Sequence, residues 1–201
     1  MQETSSERAA EIIRQMGGMV RTAEAIRKGV HPRTLYALRD RGTLEQISRG
    51  VYRLAELDAI SNPDLVTVAS RLPHAVICLI SALSFHNLTT QIPHEVSIAI
   101  DRHSRIPQIE HPPLAVHRFS PESFRAGIEE HLVDVVTIHI YSPEKTLADC
   151  FKFRNKIGMD VVLEALKLYK TRKTFNLGDV LKYARICRVE NVIKPYLEAT
   201  V

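Results

Sequence analysis

HPRTLYALRDRGTLEQISRGVYRL, residues 31–54, reads as one helix followed by one hairpin. Pro32 sits at a favoured first helical position, because its fixed φ suits the helix and its missing N–H is not needed there. The helix runs over residues 32–41 and stops at Gly42. At about 100° per residue, Leu35 and Leu38 share one side and must face a core. The opposite side carries Arg33, Tyr36, Ala37 and Asp40, with Thr34 and Arg41 on its flanks. Leu44–Ile47 and Val51–Leu54 are rich in strand formers and flank Ser48-Arg49-Gly50, a turn.

Working back from His31, residues 5–16 place Ala9, Ile12, Ile13 and Met16 at helical spacing, with Ser5 or Ser6 as cap. Gly17-Gly18 ends that helix. Thr22 caps a short second helix with Ala25 and Ile26 facing inward, and Gly29-Val30 turns the chain into the third. Three helices and a hairpin make a winged helix-turn-helix, a domain of residues 1–55. The third helix then has the residue types of a major-groove reader. Arg33 suits guanine, Ala37 and Thr34 suit a thymine methyl, and His31 and Thr34 lie at the end that reaches base edges. Arg49 stands at the wing tip, and Arg53 on a wing strand, both placed for phosphate or the minor groove.

Charge agrees with this. Residues 1–54 hold ten Lys or Arg against six Asp or Glu, whereas residues 55–201 hold seventeen of each sign. The whole net charge of +4 sits in the first quarter of the 201 residues, as attraction to nucleic acid requires. A second basic cluster, Lys152, Arg154, Lys156, Lys167, Lys170, Arg172 and Lys173, is interleaved with Glu144, Asp149, Asp160 and Glu164 and reads mainly as solvated helix faces.

Other classes find little support. No stretch of about 20 apolar residues spans a membrane. The first residues lack a basic-then-apolar secretory layout. Cys78, Cys150 and Cys187 are sparse and odd in number, which predicts a reducing cytoplasm and no disulfide frame. Eight of the nine histidines lie between His74 and His139 without a zinc-ligand spacing. The chain has no Glu-x-Lys of a nuclease core, no Gly-Ser turn with paired acids, no P-loop and no GxGxxG. The expectation is a non-enzymatic chain with no catalytic residues, cofactor or metal.

Residues 55–62 read as a linker, and a second domain is expected over residues 63–201. Its first helix runs from Pro63 to Arg71. Residues 81–87 are helical, and strands are expected at 94–100, 114–119, 128–134 and 135–141. A proline-rich loop covers residues 101–113, and a short helix residues 121–126. From Ser142-Pro143-Glu144 the period becomes helical, with a break at Gly158 and a cap at Asn176. Strands before helices make this an α+β domain, an antiparallel or mixed sheet with a helical tail.

Three stretches carry a family resemblance: residues 31–54, LISALSFHNLTTQIPHEVSIAI at 79–100, and YSPEKTLADCFKFRNKIGMDVVLEALKLY at 141–169. They resemble AbiEi-family antitoxins, regulators of type IV toxin–antitoxin and phage-defence operons. The resemblance implies a repressor of its own operon that binds promoter inverted repeats in double-stranded DNA, two copies together. It also implies an antitoxin role against a nucleotidyltransferase toxin, without a stable complex. Two alternatives stand beside it: a regulator that acts without a toxin, and a protein-interaction module of a defence complex.

Overall fold

The computed structural model describes residues 4–57, 61–134 and 136–198. The chain forms two compact units, residues 1–71 with 132–137, and residues 72–131 with 138–201.

The first unit opens with α1 (Ser5–Gln15), β1 (Met19–Arg21), α2 (Thr22–Arg27) and α3 (Pro32–Asp40), followed by β2 (Leu44–Ser48), β3 (Val51–Leu54) and α4 (Pro63–Arg71). This is the winged helix expected, with one strand more. The three residues of β1 are too few to show a period, yet they pair antiparallel with β3, Val20 opposite Tyr52. β3 is central in the order β1-β3-β2. Ile13, Ala25, Val30, Leu35, Leu38, Leu44 and Leu54 form the core.

Local details differ from expectation for physical reasons. Thr4, not Ser5 or Ser6, caps α1, because Glu7 stands three residues on and closes a capping box. Thr4 N–H donates to Glu7 Oε2 at 2.7 Å, and Glu7 N–H to Thr4 Oγ1 at 3.3 Å. Arg21, not Thr22, is the cap position of α2. Ile26 is 46% exposed, since a helix of six residues buries only Ala25 and Val30 fills the core beyond it. The helix Pro63–Arg71, expected to open the second domain, lies in the first unit and packs on β2.

The second unit continues with β4 (Val76–Ile77), α5 (Leu79–Phe85), β5 (Val96–Asp101), β6 (Leu114–Phe119), α6 (Pro121–Arg125), β7 (Ile128–Val133) and β8 (Val136–Tyr141). The helical tail is α7 (Pro143–Lys152), α8 (Arg154–Ile157), α9 (Met159–Lys170), α10 (Leu177–Ile186) and α11 (Glu190–Glu198). The five strands lie in the order β6-β5-β4-β8-β7. β4 is antiparallel to β5 and parallel to β8, and β5 is parallel to β6. The sheet is therefore mixed, and the fold is α+β.

Helix α7 is the hub of this unit. Ser142 Oγ accepts the Lys145 N–H at 3.2 Å, Pro143 follows at the first turn, and seven successive residues from Lys145 to Phe151 are buried. Helices α5, α9, α10 and α11 pack around it. Lys145 and Asp149, one turn apart, are both fully buried and pair at 2.5 Å. The Lys145 ammonium also lies 4.0 Å from the Tyr141 ring centre and 5.0 Å from that of Phe119. The Cys187 thiol donates to the other Asp149 oxygen at 3.2 Å. Burial raises the Asp149 carboxyl pKa, and Lys145 pulls it back.

Removing one partner of such a pair strands the other. Lys145→Met is expected to cost about 3–5 kcal/mol in urea denaturation, and Lys145→Met with Asp149→Leu distinctly less than the single change. A single variant as stable as the wild type would contradict the pairing.

Candidate nucleic-acid interface

The first turn of α3 is held by the residue before it. His31 Nδ1 accepts the Arg33 N–H at 3.2 Å, so the imidazole serves as the helix cap and Pro32 follows at the first position. Leu35 and Leu38 are buried at 0% and 3% exposure. That anchors one side of the helix and presents the other. Arg33 and Tyr36 are exposed, and Ala37 is half-buried. Thr34 and Arg41 lie on the flank towards α1, where Thr34 Oγ1 is 3.4 Å from Ser5 Oγ and Arg41 reaches Ser6 Oγ at 3.4 Å.

Tyr36 has two neighbours on the domain. Its ring packs edge-on to Tyr52 at 6.5 Å, and the Arg39 guanidinium lies 5.4 Å from its centre. Arg39 also pairs with Asp40 at 2.7 Å, and the Asp40 carboxylate raises the Arg39 pKa further. This pairing matters for the surface as a whole. An unpaired Asp40 would repel phosphates from the face that carries Arg33, and Arg39 offsets it.

Between β2 and β3 the turn carries an exposed Arg49 and a Gly50 at φ +76°. Only glycine takes that backbone conformation without strain. The Gly50 carbonyl accepts the Thr22 N–H at 2.9 Å and the Thr22 hydroxyl at 3.3 Å. The wing is thereby tied to the start of α2. Arg21, exposed on β1 opposite Val51, stands next to this turn. The sequence reading missed it because β1 itself was not legible.

Arg53 requires a correction. It was expected on an outward wing strand, but its residue is 5% exposed. β3 is the central strand and all four of its residues are buried. The Arg53 guanidinium donates to the Leu54 carbonyl at 3.4 Å and the Leu57 carbonyl at 2.5 Å, with Glu45 at 3.9 Å. It is a structural tie for the chain after the wing. The predicted residues His31, Arg33, Thr34, Tyr36, Ala37 and Arg41 do come together on and around α3, and Arg49 stands on the wing.

Three of the seven residues in the second basic cluster are committed to the fold. Arg154 donates to the Phe151 carbonyl, Lys170 to the Leu197 carbonyl, and Arg172 to the carbonyls of His86 and Asn87. Lys152, Lys156, Lys167 and Lys173 remain exposed. Among the described residues, no group of three or more His, Cys, Asp or Glu is arranged to hold a metal ion. No helix among them is long and apolar enough to cross a membrane.

Residues 7–55 match the family described as transcriptional regulator, AbiEi antitoxin. Over these residues the N-terminal domain is similar to the AbiEi regulators. The match takes in nearly all of α1, then β1, α2, α3 and both wing strands, and ends at Ala55. Over nearly its whole length the chain is similar in fold to the crystal structure of the RV2827C protein from Mycobacterium tuberculosis. The TM-score is 0.57 at 14% identity, over 96% of this chain and 80% of that one. A comparison with curated proteins gives no match.

The two wing arginines separate by their cost to stability. Arg53→Ala is expected to lower stability by about 1–3 kcal/mol, because it removes a buried side chain together with its hydrogen bonds to the Leu54 and Leu57 carbonyls. Arg49→Ala is expected to stay within about 0.5 kcal/mol of wild type. Equal effects in thermal or urea unfolding would refute the assignment of Arg53 as buried and Arg49 as free.

Proposed function

We propose that the protein is a sequence-specific repressor of its own operon, which binds inverted repeats in its promoter through α3 and the wing. The observation that carries this is the outward face of α3. Arg33 and Tyr36, the latter packed against Tyr52 and Arg39, project from an AbiEi-type domain, and Asp40 on the same helix is paired with Arg39. Arg33, Tyr36, Ala37 and the His31–Thr34 end read bases in the major groove, while Arg41 and Arg49 contact the backbone. One winged helix covers a half-site, so two copies bind together.

The family's description supports a second role, that of antitoxin. In this reading the protein counters a nucleotidyltransferase toxin in a type IV arrangement, acting in the cytoplasm without a stable toxin complex and without catalysis of its own. The family match ends at residue 55, which favours, as the alternative, a regulator that acts without a toxin.

A gel shift with the gene's own upstream DNA tests the first role. Arg33→Ala and Tyr36→Ala are each expected to cost about 1–3 kcal/mol of operator binding and to relax sequence preference. Undiminished, equally selective binding by the double variant would sink the assignment of α3. Co-expression with a neighbouring nucleotidyltransferase tests the second role. Rescue of growth is expected, and continued arrest in the presence of folded antitoxin would exclude it.

A further inference from the structure

Between α1, the turn that joins α2 to α3, and the first turn of α3 lies a hollow of about 480 Å³. Arg8, Lys28 and His31 stand around it with the hydroxyls of Ser5 and Thr34, while Ala9 and Ile12 line an apolar part. No acidic residue lines it. Of the acids on α1, Glu7 is held in the capping box with Thr4 and Glu11 pairs with Arg14. Arg8 and Lys28 are exposed, and among the described residues neither carries an ion pair, in contrast to Arg14, which is held by Glu11 and Glu56.

The position of the hollow is as telling as its charge. Thr34 lies about 100° round the helix from Arg33 and about 60° from Ala37. The hollow therefore sits on the flank of the proposed reading face, at the N-terminal end of the helix. A helix lying in a major groove about 12 Å wide has a sugar–phosphate strand rising along each flank. The volume is several times that of a phosphate group, leaving room for the attached sugar. Its chemistry also suits that pair, with two cations and the Ser5 hydroxyl for the phosphate and an apolar patch for deoxyribose carbons.

We infer that this hollow seats one backbone segment of the bound DNA, with Arg8 and Lys28 on the phosphates, Ser5 hydrogen-bonding to them, and Thr34 at the edge towards the bases. The inference rests on the DNA-binding reading above and adds to it a phosphate clamp made by α1 and the α2–α3 turn. Such contacts set the register of α3 in the groove and carry no base preference of their own.

The test uses the full chain with Arg8→Gln and Lys28→Gln together. Binding is measured on the inverted-repeat duplex and on a scrambled duplex of equal length, across a range of salt. Both side chains are exposed, and circular dichroism checks that the variant is folded. Affinity is expected to fall by the same factor on both duplexes. The slope of log affinity against log salt should shrink by about 0.9 per cation removed, so the loss between 50 and 200 mM salt becomes about tenfold smaller. Lys28→Glu should weaken both duplexes further.

Wild-type binding with an unchanged slope and affinity in the double variant would overturn the clamp and leave the repressor reading standing. Loss confined to the inverted repeat would also overturn it, since the two residues would then be reading bases. Stabilisation of the wild type by inorganic phosphate, lost in the variant while DNA binding is kept, would assign the hollow to a free anion instead. Failure of the wild type to bind any DNA would remove the repressor reading and the clamp together.

Discussion

The packing of one side of α3 governs the N-terminal unit. Leu35 and Leu38 are buried in a core with Ile13, Leu44 and Leu54. Each full burial of a leucine is worth about 1.5–3 kcal/mol, so rotating the helix to hide its polar side would forfeit most of that. The helix is thereby fixed about its own axis, and Arg33 and Tyr36 are held outward. Further ties remove the remaining freedom. The His31 side chain caps the first turn, Tyr52 and Arg39 hold Tyr36, and the Thr22–Gly50 hydrogen bonds fasten the wing. A reading surface needs this rigidity, because a base contact made by a mobile side chain loses to entropy much of what it gains.

The ten basic residues of the first 54 are not equivalent once folded. Arg14 and Arg39 are neutralised by carboxylates, and Arg53 is buried on backbone carbonyls. Arg8, Arg21, Lys28, Arg33 and Arg49 are exposed and carry no ion pair among the described residues. The field of the domain therefore comes from a subset of its cations, at α1, the α2–α3 turn, α3 and the wing. The same sorting operates in the second unit, where Arg154, Lys170 and Arg172 are committed to carbonyls.

The second unit is organised around a buried charge pair rather than an apolar helix. A lysine and a carboxylate at zero exposure persist because each is satisfied, Lys145 by Asp149 and two aromatic rings, and Asp149 by Lys145 and Cys187. Pairs of this kind add little net stability over apolar residues, but they penalise every packing that separates them. That suits a helix with neighbours on several sides, whose rotation and register must both be set. The three cysteines are buried and free, and burial pushes the Cys187 thiol up to about 12.

Periodicity and punctuation determined most of the secondary structure by themselves. Pro32, Gly42, Pro143, Gly158 and Asn176 act through their own backbone or side chain, so their effects are local and legible. The alternation from Leu35 to Leu38 likewise named the outward face of α3 before any partner was known. What needed the tertiary structure was anything set by residues distant in sequence. Three residues of β1 show no period, and only pairing with β3 makes them a strand, which in turn makes β3 central and buries Arg53. Pro63–Arg71 reads as a helix from its sequence, but only packing on β2 assigns it to the first unit. The gathering of Arg8, Lys28 and Thr34 around one hollow is likewise a product of the core, because side chains twenty residues apart share a surface only when buried neighbours hold their helices together.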